Sequence, residues 1–500
     1  MVAAGAGRSY PEDVAQRYLI RTYGCQMNES DSERLAGLLE ADGYVPAAGT
    51  ADADVIVLNT CCIRENADNK LYGALGNLKA LKDQRPDLQI AVGGCLAQKD
   101  QGRIQDRAGH VDVVFGTHNV HRAGDLLAAA RHGGPLMEIL DASARDDTEM
   151  FPSALAVRRE VDHASWLTIQ VGCDNSCAFC IVPAVRGPEL SRPFGELVIE
   201  AQRLAVEGVQ EITLLGQNVN SYGRDITTAR RAGRPDAADH DAAGPAWAAD
   251  PARRPRPLFA DLLRAIGAVD GIDRVRFTSP HPKDLRPETI VAMADTAAVC
   301  EHLHLPVQSG SDEVLAAMHR GYTAARYLDK LQAARTAIDD LAVSTDLIVG
   351  FPGERDADFE ATLELAAEAA YDYAYTFQYS PRAGTEGAEM VDRFVDPVVT
   401  NQRYEQLRAV VERSALARHR ERIGRVEEVL VEGPSKKDPE VVSGRTRQNK
   451  LVHFASASPL RVGTRARVQV TDAASHYLRG ELVEVVAPPR HRMRIPVVAS

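Results

Sequence analysis

The 500-residue chain contains no run of about 18 apolar residues, which excludes a helical membrane span. Its opening stretch, Met1 to Tyr10, is small and polar and lacks the apolar segment of a secretory signal. The expectation is a cytoplasmic protein with no membrane partner. An excess of Lys and Arg is missing too: the net charge of −12 counts mildly against a phosphate-rich partner. Cysteine is scarce, eight in all, and in a reducing compartment such thiols read as ligands or reactive groups rather than disulfides. Large apolar side chains almost vanish between Thr227 and Pro257, where Ala, Asp, Arg, Gly and Pro dominate. Such a stretch cannot bury enough surface to order itself, so 227–257 is expected to be a disordered insertion, and 1–15 a disordered leader.

What is present is more telling. Cys173, Cys177 and Cys180 form a C-x3-C-x2-C loop directly after the apolar run Trp166 to Val171. Three thiolates so close can hold three irons of one [4Fe–4S] cube, because soft sulfur suits iron–sulfur groups. No fourth cysteine follows at that spacing, which leaves one iron open for chemistry. A zinc site and a disulfide are the alternatives; zinc would need a fourth ligand from a nearby second knuckle, and none follows.

At this length two to four domains are expected. From Arg17 the pattern is α/β: buried-type strands such as Asp54–Asn59 and Leu88–Val92 alternate with helical stretches, which predicts an N-terminal doubly wound parallel sheet over 16–142. Cys25, Cys61 and Cys95 each lie just beyond a predicted strand end. In an open parallel sheet those ends share one edge, where ligands bind. A second three-cysteine cluster site follows, against the alternative of three unrelated buried thiols. Cys62 is expected to point away from it, and Cys300 to pack. A polar linker covers 143–162. Then, over 163–410, six strand–helix units predict a central partial (β/α)6 TIM-like barrel whose active face lies at the loops after its strands, with the C-x3-C-x2-C loop on that face. Short strands over 418–487 predict a small antiparallel β-barrel, a shape often used to bind RNA, and 488–500 is a basic tail. The basic runs Arg418–Arg425, Arg445–Arg447 and Arg490–Arg494 cluster near this end.

The motifs go further. The cysteine loop, Thr22–Asn28 with Asp31-Ser32-Glu33, Asn59–Arg64, Gly94-Cys95, Leu215–Tyr222 and His304–Ser311 resemble those of the radical SAM (S-adenosylmethionine) methylthiotransferases. Gly444–Arg447 and Leu478–Glu481 make the last barrel similar to a TRAM domain. The resemblance spans nearly the whole chain and is nearest to the subgroup acting on isopentenylated adenosine in tRNA. It implies a radical SAM core with a [4Fe–4S] cluster on Cys173, Cys177 and Cys180 that cleaves SAM. It also implies an auxiliary [4Fe–4S] cluster on Cys25, Cys61 and Cys95 that carries the sulfur. The substrate would be the adenosine 3′ of the anticodon, methylthiolated at C2, with two SAM molecules used per turnover. Rival subgroups modify threonylcarbamoyladenosine in tRNA or a ribosomal protein aspartate; Gln217–Asn220 disfavours the latter. From another class, a non-catalytic RNA-binding protein with structural metal is a remote alternative. The partners implied are the tRNA anticodon arm, an electron donor and a sulfur source, with the chain acting as a monomer.

Five further residues are candidate cofactor contacts, Arg192 after the cluster loop and the other four at barrel strand ends. Arg192 is placed to pair with the SAM carboxylate. Gln217 and Asn218 are placed to hydrogen-bond SAM or adenine, or else to cap a turn. Gln308 and Ser309 close another strand beside Gly310. The chain departs from the family pattern in the length of 227–257, in having Cys62 where Ser or Ala is more typical, and slightly in Gly187–Leu190.

Overall fold

The computed structural model describes residues 15–62, 65–140, 157–231 and 239–490. The expected leader therefore lies, but for residue 15, outside the described residues, as do most of the linker and of the basic tail. The chain divides into two compact units, Met1–Glu160 with Ala184–Arg186, and Val161–Pro183 with Gly187–Ser500. No helix among the described residues is long and apolar enough to cross a membrane.

The first unit is built on β1 (Arg17–Tyr23), β2 (Val45–Pro46), β3 (Val55–Thr60), β4 (Gln89–Gly94), β5 (Val113–Phe115) and β6 (Leu136–Glu138). They form one six-stranded sheet in the order β2-β1-β3-β4-β5-β6, with every pairing parallel. β3 and β4 are buried along their whole length, as unbroken apolar strands covered on both faces must be. Val55, Val57, Ala91 and Val113 pack against Leu35, Leu39 and Leu127 of the flanking helices. The strand order turns back between β1 and β3, and that reversal opens the crevice in which doubly wound sheets bind ligands.

The second unit starts with β7 (Ala164–Thr168), the short pair β8 (Gln170–Val171) and β9 (Leu190–Ser191), then β10 (Glu211–Leu215), β11 (Arg274–Phe277), β12 (His302–His304), β13 (Ala342–Val349) and β14 (Tyr373–Gln378). Parallel sheets β7-β10-β11 and β12-β13-β14 follow in chain order and are joined by a single bridge, Val275 to Val299. This is the open, partial six-stranded barrel expected from the strand–helix repeat. A continuous core from Leu167 and Leu214 to Val343 and Leu407 fills it.

The 227–257 segment, of which 232–238 lie outside the described residues, departs from the expected disorder in its described part. The end of helix Arg224–Arg231 and the helices Asp239–Ala243 and Pro245–Ala248 lie there. Trp247 is buried in the core with Phe194 and Leu258, and its Nε1 donates to the Arg254 carbonyl at 3.0 Å. One indole supplies the apolar area that the composition lacked on average.

The chain ends, within the described residues, in a closed barrel of β15 (Val426–Pro434), β16 (Val441–Thr446), β17 (Leu451–Ala455), β19 (Leu478–Ala487) and β18 (Arg465–Ala473), in that spatial order. All pairings are antiparallel except β17 with β19. Val429, Val452, Phe454 and Val468 fill it. Its arginines turn inward more than the sequence suggested. Arg447 pairs with Glu301 at 2.7 Å and donates to the carbonyls of Ala297 and Val299, and Arg422 pairs with Asp340 and Glu427. Arg274 and Arg276 reach back from β11 to the carbonyls of Arg445, Thr446 and Arg447. These charges fasten the small barrel to the larger one.

Candidate active site and thiol clusters

In the first unit the switch point gathers the cysteines. Cys25 follows β1 and caps the helix Gln26–Ala41, Cys61 follows β3, and Cys95 opens the helix Cys95–Asp100 after β4. A helix start favours negative charge on a thiol. Gly24 and Gly94 make the approach possible. A side chain at Gly24 would strike the Cβ of Cys61, and Gly94 adopts φ 93° where a Cβ would meet Asn59 and the Thr60 carbonyl. Behind the thiols runs a buried amide network. Asn28 Nδ2 donates to Asn59 Oδ1 at 3.2 Å, and Asn59 Nδ2 donates to the Asn28 carbonyl and to Ser32 Oγ. That network explains why the motif residues around Cys25 and Cys61 are amides and hydroxyls.

The thiols influence one another in pairs. Cys25 is hydrogen-bonded to Cys61, and this bond, with the nearby Arg186 charge, lowers the Cys25 thiol to about 6. Arg186 Nε donates to Cys95 Sγ at 3.3 Å and its Nη2 pairs with Asp31 at 2.7 Å. The Cys95 thiol is lowered by a hydrogen bond from Cys62 and by that guanidinium. Cys62 therefore does not point away as expected. Its fully buried thiol bonds to Cys95, because β3 ends at Thr60 and strand alternation no longer governs the two residues that follow. Thr117 Oγ1 holds the Val185 carbonyl at 2.8 Å, keeping Arg186 in this unit.

In the second unit the Gly172–Cys180 loop is pinned by backbone bonds from Cys173 to Gly187, Cys180 to Cys177 and Ala178 to Met318. Arg320, buried, donates from Nη1 to Cys177 Sγ at 3.4 Å, from Nε to Tyr322 and from Nη2 to the Pro306 carbonyl. Asn175 Nδ2 lies 3.5 Å from Cys173 Sγ. Burial pushes the Cys173 thiol up to about 11 and that of Cys180 to about 12; a bound metal reverses that by taking the thiolate. Among the described residues no group of three or more His, Cys, Asp or Glu side chains is arranged to hold a metal ion. The residue types, soft sulfurs with an arginine N–H on one sulfur of each set, are those that an iron–sulfur group takes.

The strand ends of the barrel present buried polar atoms that have no protein partner: Gln170 Oε1, Gln217 Nε2, Asn218 Oδ1, His281 Nε2 and Gln308 Oε1. Such orphans cost about 1–3 kcal/mol each unless something meets them. Their neighbours fix them in place. Gln170 donates to the Asn218 carbonyl, Gln217 Oε1 accepts from the Gly172 N–H, and Asn218 Nδ2 donates to Asp284 at 2.9 Å. His281 Nδ1 accepts from the Lys283 N–H, so its Nε2 carries the proton. Burial drives that imidazole down to about 2, which keeps it neutral. Gln308 sits at φ 72°, a left-handed conformation costing about 1 kcal/mol or more for a residue other than glycine. Of the five contacts expected from sequence, Gln217, Asn218 and Gln308 thus carry an unmet polar atom. Arg192 instead has its own partners, Glu200 at 2.6 Å and the Thr168 carbonyl, and Ser309 bonds to Thr362. Gln170, His281, Arg186 and Arg320 were missed by sequence reasoning. No local pattern marks Gln170, Arg186 and Arg320, since each acts on a residue far away in the chain.

Three family models match in succession: Uncharacterized protein family UPF0004 over residues 17–116, the Radical SAM superfamily over 167–366 and the TRAM domain over 420–483. Among curated relatives, a tRNA-2-methylthio-N(6)-dimethylallyladenosine synthase of Nocardia farcinica is 50% identical over 471 residues, covering 93% of this chain and 88% of the relative. Synthases of the same name from Acidothermus cellulolyticus and Parafrankia sp. are 50% and 49% identical over 474 residues, each covered to 89%. Two thiol sites on successive parallel sheets, a closed C-terminal barrel and identity of this order over almost the full length leave one conclusion: the chain belongs to the tRNA-2-methylthio-N(6)-dimethylallyladenosine synthase family, a radical SAM group.

Proposed function

We propose that this chain adds a methylthio group to C2 of N6-dimethylallyladenosine next to the anticodon of tRNA, using SAM as methyl donor and as radical source. The observation that carries the proposal is the pair of thiol sites, Cys25/Cys61/Cys95 and Cys173/Cys177/Cys180, each with a buried arginine on a sulfur. Iron–sulfur groups at these places would supply the electron for SAM cleavage at the second site and a holding point for sulfur at the first.

The chain's own residues do the rest. Arg320 and Arg186 stabilise negative charge on Cys177 and Cys95 through charge-assisted N–H···S bonds. Gln217 Nε2 and His281 Nε2 offer donors, while Gln170, Asn218 and Gln308 offer acceptors. That mixed set complements the amino, carboxylate and hydroxyl groups of SAM and the edge of an adenine. A neutral His281 donates without adding charge beside a cationic sulfonium. The target base lies in a loop and can be splayed out and stacked at modest cost. On the small barrel, exposed Arg479 over the Tyr477 ring offers a cation and an aromatic face to RNA.

The test is nucleoside analysis of tRNA from cells lacking the protein. The expected result is loss of the methylthio mark with the dimethylallyl group retained; an unchanged mark, or loss from a threonylcarbamoyl nucleoside instead, refutes the proposal. In vitro, Cys177→Ala abolishes 5′-deoxyadenosine release, whereas Cys61→Ala retains it without forming product.

A further inference from the structure

We propose that the cavity where the partial barrel meets the small β-barrel is a further RNA contact, taking one unpaired base of the tRNA at a point remote from the cluster loop. The inference rests on the tRNA reading above and adds to it a binding site at the opposite ends of the barrel strands.

The cavity measures about 200 Å³ and lies among the first residues of β12, β13 and β14 and the turn between β16 and β17. The cluster loop and the unmet polar atoms stand instead after strand ends. From Ser344, on the cavity, to Val349 at the far end of β13 is about 17 Å of strand.

Rings form one wall. Tyr373 and Tyr375 are alternate residues of β14 and share a face. Their rings meet edge to face with centroids 4.7 Å apart, and the row runs on to His304 at 6.0 Å and to His476 at 5.8 Å. Tyr375 is 45% exposed, so a large ring stays in water that a stacked base would cover. Polar groups line the rest. The buried Lys450 ammonium pairs with Asp372 at 2.6 Å, and with three N–H donors it has others to offer. His419 Nδ1 donates to the Ala474 carbonyl at 2.6 Å, which leaves Nε2 of the neutral ring as an acceptor. Arg445, also on the cavity, keeps 39% of its side chain exposed beside Glu432.

Pockets that enclose a whole small molecule measure about 300–1,000 Å³. This one suits a single flat ring system whose remainder stays outside. Rings to stack on, a donor and an acceptor for the edge of a base and a guanidinium for a phosphate together describe a nucleotide. A free mononucleotide shares that chemistry. A strand fits better, because Tyr477 follows His476 directly, with its ring 5.2 Å from His453 and beneath Arg479, so further aromatic and cationic groups stand next to the cavity residues on the small barrel.

The experiment uses the full chain and tRNA that carries dimethylallyladenosine without the methylthio group. Binding is followed by fluorescence anisotropy for the unaltered chain and for Tyr375→Ala, Tyr375→Phe and His476→Ala; both positions are exposed. The expected result is RNA binding about tenfold weaker in Tyr375→Ala and in His476→Ala, binding near the unaltered value in Tyr375→Phe, and SAM cleavage without RNA the same in all. Unchanged RNA affinity in both Ala variants overturns the proposal and leaves the tRNA reading standing. A loss in Tyr375→Phe as large as in Tyr375→Ala overturns stacking as the contact. If adenosine monophosphate binds the unaltered chain, and Tyr375→Ala abolishes that binding while sparing RNA affinity, the cavity serves a free nucleotide and the proposal falls. Failure of the unaltered chain to bind the tRNA removes the tRNA reading, and this proposal with it.

Discussion

Changing Arg186 to Met removes a guanidinium that does two jobs, and the structure allows them to be separated. Its side chain is about one-twentieth exposed and its partner Asp31 about one-seventh, so the pair is close to fully buried. Removing one member of a buried pair costs about 3–5 kcal/mol, mostly from the charge left behind. Against an unfolding free energy of about 5–15 kcal/mol for a domain, the N-terminal unit should unfold at clearly lower denaturant. The second job is the N–H on Cys95 Sγ at 3.3 Å. A hydrogen bond to a charged group is worth about 1.5–3 kcal/mol, so the sulfur should hold metal about 10–100-fold less tightly. Asp31→Asn combined with Arg186→Met restores neutrality without restoring the N–H. The assays are chemical denaturation and the rate of iron loss to a chelator, in the background lacking the second set of cysteines. The double variant should regain most of the stability yet release iron as fast as the single one. If both properties recover together, or if Arg186→Met alone leaves iron release unchanged, the assignment of Arg186 to the sulfur is wrong.

Three further outcomes are expected. Arg447→Ala should destabilise the protein by about 2 kcal/mol in thermal or chemical unfolding, through loss of the Glu301 pair and two carbonyl contacts; the salt slope of RNA binding should stay the same, and a slope lower by about one would restore Arg447 to the RNA face. Burial raises the Glu33 carboxyl to about 7, so its protonated form contributes stability that is fully present below the unfolded value near 4.5 and lost as pH rises through 7; Glu33→Gln should flatten that part of the stability–pH curve, and an unaltered curve contradicts the assignment. Gln308→Gly should relieve the left-handed backbone and remove an orphaned acceptor, leaving stability equal or about 1 kcal/mol higher while SAM binding by calorimetry weakens about tenfold; unchanged binding removes Gln308 from the site.

Much of this protein was legible before any coordinates. The unbroken apolar run of β3 marks a strand covered on both faces, and the cysteines directly after β1, β3 and β4 therefore had to share one sheet edge. The C-x3-C-x2-C spacing marked the second site in the same direct way. These features are local, because strand periodicity and ligand spacing are properties of neighbouring residues. What the linear chain could not carry is pairing across distance. Arg186 finds Cys95 from 91 residues away, and Arg320 finds Cys177 from 143. Arg447 reads as an RNA contact until Glu301 is found beside it, Trp247 turns a polar segment into ordered structure, and Arg192 is already bound to Glu200. Cys62 bonds to Cys95 only because the chain leaves its strand one residue before the pair. Sequence alone determined the sheets, the barrels and where the cysteines fall along them, since those follow from short-range pattern. The charge attending each thiol set, the arginines that serve the fold instead of a ligand and the polar atoms left unmet were decided by tertiary structure, because a buried charge takes its role from whatever is packed against it.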